Sequence, residues 1–249
     1  MSNLRFYEPQ NLQAGSLVTL SENAATHATK VMRLGVGDTL VLFCGDGADY
    51  TCELTTVQKS AVMAKVKSKQ ILENESPLDI TLLLGISAGD RMDIAIQKAV
   101  ELGVNRIVPI KTERSVVKLD EEKTKKRVAH WQNIAIAACE QSGRAIVPTV
   151  ETPILLPALL AKPCATDTLR ITLDPLAGKK LADILKPDSS KPTGEIQLLI
   201  GAEGGLSTNE ISLAGQYGFV GVQLGRRILR TETAPLAAIA AMNTLWGDF

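Results

Sequence analysis

The 249-residue chain has few residues with which to do metal or histidine chemistry: two histidines, His27 and His130, and four scattered cysteines. Cys44, Cys52, Cys139 and Cys164 form no CxxC pair, so they read as structural thiols of a reducing cytosol. A zinc site or a Ser-His-Asp triad has too little to work with, and metal-free chemistry is expected. Long apolar runs are also missing. None reaches the roughly 18–20 residues of a membrane helix, and Met1–Tyr7 carries no apolar signal core. A cytoplasmic protein with no membrane partner is expected. Nor is there an excess of either charge, with 27 acidic and 27 basic side chains. Any nucleic-acid contact must therefore come from local clusters. Aromatic residues are scarce (four Phe, three Tyr, two Trp), which leaves the core to Leu, Ile, Val and Ala.

What is present divides the chain in two. Residues 1–72 alternate in short strand-like runs at Arg5–Tyr7, Leu17–Leu20, Thr39–Phe43, Tyr50–Val57 and Val62–Ile71, separated by turns such as Gly45-Asp46-Gly47. One helix interrupts them, with Ser21 as N-cap and Ala24, Ala28, Val31 and Met32 on its packed face. So many short strands suggest a small barrel. Glu73–Pro77 reads as a linker, and from residue 73 to 249 strands and helices alternate, the mark of an α/β domain with a parallel sheet. Strands are expected at Asp79–Ile86, Val104–Ile110, Thr168–Leu173, Ile196–Ile200 and Phe219–Leu224. Helices are expected at Arg91–Leu102, Glu121–Ser142, Lys179–Leu185, after Ser207 and over Glu232–Trp246, with a loop at Pro187–Gly194.

Two segments carry chemistry. In Leu198–Glu210 an apolar strand runs into Gly201-Ala202-Glu203-Gly204-Gly205, followed by a Ser207/Glu210 capping box. Three glycines let backbone groups approach a ligand without interference from Cβ atoms. The spacing is neither GxGxxG nor that of a P-loop, and a structural tight turn is the alternative. In Leu224–Ala234 another strand leads to Gly225-Arg226-Arg227-Ile228-Leu229-Arg230. Three arginines in five residues beside a glycine suit a loop whose backbone holds one ligand while its arginines face an anionic second one. The alternative is a solvated basic turn.

Together these loops resemble the signature of the SPOUT class of knotted methyltransferases. They resemble most closely the family that methylates N3 of a uridine in bacterial small-subunit ribosomal RNA. Arg5-Phe6, His27 with Val31-Met32-Arg33, and Phe43-x-Gly45-x-Gly47 are similar to that family's RNA-binding barrel. Gln97–Val104, Thr112-Glu113-Arg114-Ser115 and Glu140-Gln141-Ser142-x-Arg144 are similar to its catalytic domain. Ala202 stands where the family usually has proline, and Leu206 where it often has phenylalanine. The resemblance implies a PUA-like β-barrel over 1–72 and a trefoil-knotted α/β domain over 73–249. Topology rules alone would instead draw an open doubly wound sheet.

It also implies S-adenosylmethionine as cofactor, with no metal. Leu173, Ile200, Gly201, Glu203, Gly204, Gly205, Leu224, Gly225, Ile228, Leu229 and Thr233 would enclose it. Methylation at uracil N3 requires the imide proton to leave, which places negative charge on N3 and both carbonyl oxygens. Arg230 is the candidate to stabilise that charge, with an ion pair to Glu232 or a phosphate contact as alternatives. Glu232 would orient Arg230 or accept the proton, or serve only the helix dipole. Arg5, Arg33, Lys98, Arg114, Gln141 and Arg144 are the candidate RNA contacts. The implied partners are small-subunit ribosomal RNA within the assembled 30S subunit and a second copy of the chain, docked through the small-residue helix Ala234–Met242. Glu140, Gln141 and Arg144 would then reach the partner's cofactor loop. Two rival readings remain. A dinucleotide-dependent enzyme lacks the spaced glycines and the acidic residue about 20 residues on. A noncatalytic RNA binder would have no use for the second loop.

Overall fold

The computed structural model describes residues 4–117, 120–185 and 192–249. Met1–Asn3 and residues 187–191 of the expected Pro187–Gly194 loop lie outside them. The chain forms two compact units. One holds the described residues up to Glu75 together with Cys139–Val147, and the other holds Ser76–Ala138 with Pro148–Phe249. The linear division at residue 72 assigns Cys139–Val147 to the second domain, whereas these residues cluster with the first.

In the first unit, β1 (Arg5–Tyr7), β2 (Leu17–Thr19), α1 (Glu22–Thr26), β3 (Thr39–Phe43), β4 (Ala48–Val57) and β5 (Val62–Ile71) follow one another. The strands pair in the order β1-β3-β4-β5-β2, and only β1 and β3 run parallel. Alternation does the folding work. Tyr50, Cys52 and Leu54 of β4 face inward against Val62, Ala64 and Val66 of β5, and Phe6, Val18 and Leu42 complete the core. The ladder itself does not close between β1 and β2. Side chains span that gap: Ser21 N–H donates to the Glu8 carboxylate at 2.7 Å, and Gln10 Nε2 donates to Glu8 at 3.0 Å and to the Thr19 carbonyl at 2.7 Å.

Ser21 caps α1 as expected, accepting from Ala24 N–H. The packed face is shorter than the sequence pattern suggests, because His27–Val31 continues as a wider π-helical turn. Ala24 and Ala28 stay buried, but the change of period turns Val31 and Met32 out to solvent.

The second unit runs β6 (Ile80–Gly85), α2 (Asp90–Glu101), β7 (Arg106–Lys111), α3 (Glu121–Ser142), β8 (Thr149–Val150), β9 (Ile154–Leu155) and α4 (Leu156–Leu160). It continues through β10 (Leu169–Leu173), α5 (Leu181–Ile184), β11 (Ile196–Ile200), α6 (Thr208–Gln216), β12 (Val220–Val222) and α7 (Thr233–Trp246). All pairings are parallel, in the order β12-β10-β11-β6-β7-β8, with β9 also on β7. Central strand β6 is buried throughout, as a sheet covered on both faces requires. Leu83, Val108, Leu199, Leu206 and Phe219 fill one side, while α2 packs against α7. The expected elements recur within a few residues. The short β8, β9 and α4 were not anticipated, since pieces of two to five residues show no period. Among the described residues no helix is long and apolar enough to cross a membrane.

The crossing beside β12 sets this sheet apart from an open one. Val222, paired with β10, accepts from Asp174 N–H at 2.9 Å. The next residue, Gln223, donates to the Lys179 carbonyl at 2.9 Å and accepts from Leu181 N–H at 3.0 Å. Successive residues of a strand point their backbone groups to opposite sides. The Asp174–Leu181 connection therefore passes around the chain where it leaves β12. This is the threaded arrangement that the resemblance to the knotted class implies.

Candidate active site

Because the strands are parallel, the carboxyl ends of β6, β10, β11 and β12 lie along one edge of the sheet, where α/β folds place their ligands. Two loops dominate it. The first, Gly201–Leu206, is tightly built. Gly205 N–H closes a turn on the Ala202 carbonyl at 2.8 Å. A Cβ on Gly85, at the end of β6, would sit 2.3 Å from Ala202 N, and one on Gly201 would sit 2.5 Å from Gly205 C. Glycine at both positions is what allows the backbones to touch. Ser207 and Glu210 form the expected capping box, and the second Glu210 oxygen accepts from Glu113 N–H at 2.9 Å. Ala202 and Leu206, which depart from the family pattern, are both buried.

The second loop, Gln223–Glu232, is held at its ends. Thr231 is buried, and its hydroxyl donates to the Gly201 carbonyl at 2.9 Å and lies 3.4 Å from the Ser87 hydroxyl. One side chain thus joins both loops to the end of β6. Thr233 and Ala234 N–H both donate to the Arg230 carbonyl at 2.9 Å, turning the chain into α7. Between these anchors, Arg226, Arg227 and Ile228 are exposed, while Leu224 and Leu229 are half-buried.

Gly205 (φ +67°) and Gly225 (φ +123°) occupy left-handed conformations with nothing within 4 Å of where a Cβ would stand. Both positions are open beyond the backbone, and Leu173, Leu224 and Leu229, on these loops or the strand end feeding them, are half-buried. Backbone polar groups and aliphatic walls of this kind suit an adenosine-like ligand. Beside them, the exposed Arg230 guanidinium stands 3.9 Å from the Glu232 carboxylate. The other Glu232 oxygen, Oε2, is buried and has no hydrogen-bond partner among the described residues. An open acceptor next to a loosely held cation can take and release a proton or orient an anion.

The sequence-derived candidates separate on this geometry. Ile200, Gly201, Gly204, Gly205, Leu173, Leu224, Gly225, Ile228, Leu229, Arg230 and Glu232 all fall on these loops or the strand ends feeding them, and Thr233 opens α7 directly after the second loop. Glu203 has another role. Its Oε1 accepts from Ala88 N–H at 2.7 Å and Arg91 Nη1 at 3.1 Å, so it braces the loop against the start of α2. Arg114 joins the site by donating to the Gly204 carbonyl at 3.0 Å. Lys98 pairs with Glu101 roughly 13 Å down α2 from the site end.

In the first unit, Arg33 (φ +58°) and Gln141 are exposed, whereas Arg5 and Arg144 are buried. Arg5 bonds to Asp49 and to the carbonyls of Cys139 and Arg144, and Arg144 pairs with Glu75 at 2.7 Å. Both guanidiniums are held inside the fold by these contacts. Glu140, expected to reach a partner, accepts from Tyr7 N–H at 2.9 Å. Burial raises its pKa, against the lowering effects of that hydrogen bond and of His27 and Arg5. Sequence reasoning missed Thr231 and Ser87. Thr231 adjoins the arginine motif, but its role depends on where a distant strand ends.

The chain matches the RNA methyltransferase domain over residues 74–243 and the RNA methyltransferase PUA domain over residues 20–67. It is 34% identical to ribosomal RNA small subunit methyltransferase E of Buchnera aphidicola subsp. Schizaphis graminum, over 98% of this chain and 97% of that protein. Against the Bacillus subtilis protein of the same name it is 33% identical over 94% of this chain and 92% of that one. A solved Neisseria gonorrhoeae ribosomal RNA small subunit methyltransferase E, bound to S-adenosylmethionine, superposes with a TM-score of 0.90 at 44% identity, covering 99% of both chains. A Legionella pneumophila methyltransferase in complex with the same cofactor gives 0.93 at 38% identity over 100% of both. With both the catalytic and the PUA models matched and relatives aligned nearly end to end, the chain belongs to the RNA methyltransferase family, in the ribosomal RNA small subunit methyltransferase E group.

Proposed function

We propose that this protein transfers a methyl group from S-adenosylmethionine to N3 of a uridine in small-subunit ribosomal RNA. One observation carries the reading: a glycine-lined cradle with open space at Gly205 and Gly225 lies in the same loop pair as an exposed arginine beside a partly unsatisfied carboxylate. The cradle fits the cofactor, since backbone groups and Leu173, Leu224 and Leu229 can bind the adenosine portion without metal ligands. When bound, S-adenosylmethionine supplies an electrophilic methyl group.

The chain's own residues do the rest. Neutral N3 is a poor nucleophile, and loss of its proton spreads negative charge over N3, O2 and O4. Arg230 stabilises that charge where it develops, the kind of fixed electrostatic interaction worth about 10²–10³ in rate. Glu232 holds the guanidinium and offers Oε2 as an acceptor. Thr231 fixes the distance between the two loops, and positioning of this sort contributes up to roughly 7–11 kcal/mol in well-oriented systems. Arg33, Arg114 and Gln141 are exposed residues available to RNA.

The working form is a homodimer, and the substrate is the assembled small subunit. In support of the dimer, α7 presents Thr233, Ala237 and Thr244 to solvent between half-buried Ala240 and Ala241, a face that permits close helix approach. A closed two-fold pair doubles the RNA-gripping surface of a chain with no net charge. The test is incubation with labelled cofactor and either 30S subunits or naked rRNA, followed by mapping of the modified base. Label at uracil N3 supports the reading, and label on a pyrimidine carbon or ribose hydroxyl overturns it. Light scattering at micromolar concentration should report about twice the mass of one chain, and a fully active monomer would remove the dimer.

A further inference from the structure

Many basic side chains among the described residues are engaged in ion pairs. Lys67, Lys69, Lys98, Lys123, Lys125 and Lys126 each have an acidic partner within 4 Å, as do Arg5, Arg91, Arg106 and Arg144. Other exposed cations, among them Lys30, Arg33, Lys59, Arg127 and Lys162, have no acidic partner among the described residues, but one such group adjoins the candidate site. Lys179 and Lys180, on the connection that wraps the exit of β12, are exposed, as are Arg226 and Arg227 on the loop that exits, and none of the four has an acidic partner among the described residues. The nearby acids of the connection are spent on backbone amides: Asp174 accepts from Leu176 N–H at 2.9 Å and Asp183 from Lys180 N–H at 2.8 Å.

The two pairs are also held in register. Gln223 bonds through its backbone to Lys179 and Leu181 and through Nε2 to the Ala177 carbonyl at 2.9 Å, which ties the lysine connection to the arginine loop. Arg226 follows Gln223 by three residues, a span of at most roughly 11 Å. Leu176 (92% exposed) and Ile228 (83% exposed) stand among these cations and offer apolar contact beside the charge.

We infer that Lys179 and Lys180, together with Arg226 and Arg227, form a phosphate-binding strip that seats the RNA backbone next to Arg230. This rests on the proposed RNA methyltransferase activity and assigns that substrate a docking surface on the knotted unit, built by the threaded crossing itself. A strip of fixed, unneutralised cations around exposed aliphatic side chains fits a nucleic-acid backbone, which supplies closely spaced charge in line.

The experiment measures binding of a small-subunit rRNA fragment by fluorescence anisotropy over a range of salt concentrations, for the wild type and the double variant Lys179→Gln/Lys180→Gln. Two lost phosphate contacts should reduce the slope of log K against log salt by about 1.4–1.8. Cofactor affinity should be unchanged, and so should turnover at saturating RNA. The control Lys125→Gln/Lys126→Gln removes the same charge from α3, where both lysines already pair with Glu121 and Glu122, and should leave the slope nearly intact. An unchanged slope in the first variant, or an equal loss in the control, overturns the strip. A wild type that methylates 30S subunits normally alongside such a result leaves the activity standing, whereas a wild type that binds the fragment but methylates neither it nor 30S subunits refutes the activity and not the strip.

Discussion

Arg5 and Arg144 in the first unit and Arg230 in the second use the same group in opposite ways. In the first, Arg5 is 6% exposed, stacks 3.9 Å from the Phe43 ring centre, and spends its donors on Asp49 and two backbone carbonyls. Arg144 is 4% exposed and paired with Glu75. In the second, Arg230 has 82% of its side chain in solvent and only a long contact to Glu232. Sequence resemblance marks all three as functional, but only position in the fold separates a guanidinium that organises backbone from one held ready for a ligand. A buried guanidinium has replaced water with carbonyls and cannot bind phosphate without unfolding its surroundings. An exposed one costs the fold little and is free for an anion.

Arg5→Ala should give the largest effect on stability. It leaves the Asp49 carboxylate and the Cys139 and Arg144 carbonyls without their donor, and breaking a buried pair typically costs about 3–5 kcal/mol. For a chain of this size that is a Tm drop of roughly 6–20 °C by calorimetry. An unchanged Tm with weakened RNA binding would return Arg5 to the RNA surface and erase the contrast.

Arg230→Ala should behave in the reverse manner. Turnover should fall by about 10²–10³, with Tm within about 1 °C of the parent and cofactor affinity within about twofold by titration calorimetry. If cofactor binding collapses while the bound complex turns over normally, Arg230 is a cofactor residue and its assigned role is wrong. Gly205→Val ranks next. At φ +67° a β-branched residue is strained, and its side chain enters the space left for the cofactor. Cofactor affinity should drop by about 10–100-fold while RNA binding holds, and equal loss of both would mean that the loop itself has collapsed.

Legibility in the sequence followed the range of the interactions. β6 and β11 were readable because each is a mostly apolar run broken by a single polar residue, and the Ser207/Glu210 box because capping is local. The threaded crossing left no trace in periodicity, since it depends on Gln223 bonding to Lys179 and Leu181 more than 40 residues away; only resemblance pointed to it. Arg5 and Arg144 read as candidate RNA contacts because a basic residue in a motif looks the same whether its partner is a phosphate or its own backbone; their burial is a product of the fold. Thr231 went unnoticed for a related reason: its carbonyl partner, Gly201, lies 30 residues away.

The smallest effect concerns an exposed charge that the first unit still uses internally, and it tests whether internal use requires burial. The Asp46 carboxylate accepts from the Tyr50 hydroxyl at 2.6 Å and from Lys69 Nζ at 2.8 Å. Partial burial pushes its pKa up, but hydrogen bonds from Lys69, Tyr50 and Cys44 outweigh that and hold it at about 2. A carboxyl whose folded pKa is depressed stabilises the fold above its ordinary value near 3.8, and that contribution is lost as pH falls through about 2. Solvent screening limits it to about 1 kcal/mol or less. Asp46→Asn should therefore lower Tm by at most about 2–4 °C at pH 7, and the gap should narrow between about pH 4 and pH 2 as the wild-type carboxylate takes up its proton. RNA binding at neutral pH should not fall, because the substitution removes a negative charge and leaves the Lys69 cation in place. A gap that stays constant over that pH range would mean that Asp46 acts through shape alone. A loss of RNA affinity would place this patch with Arg230 rather than with Arg5.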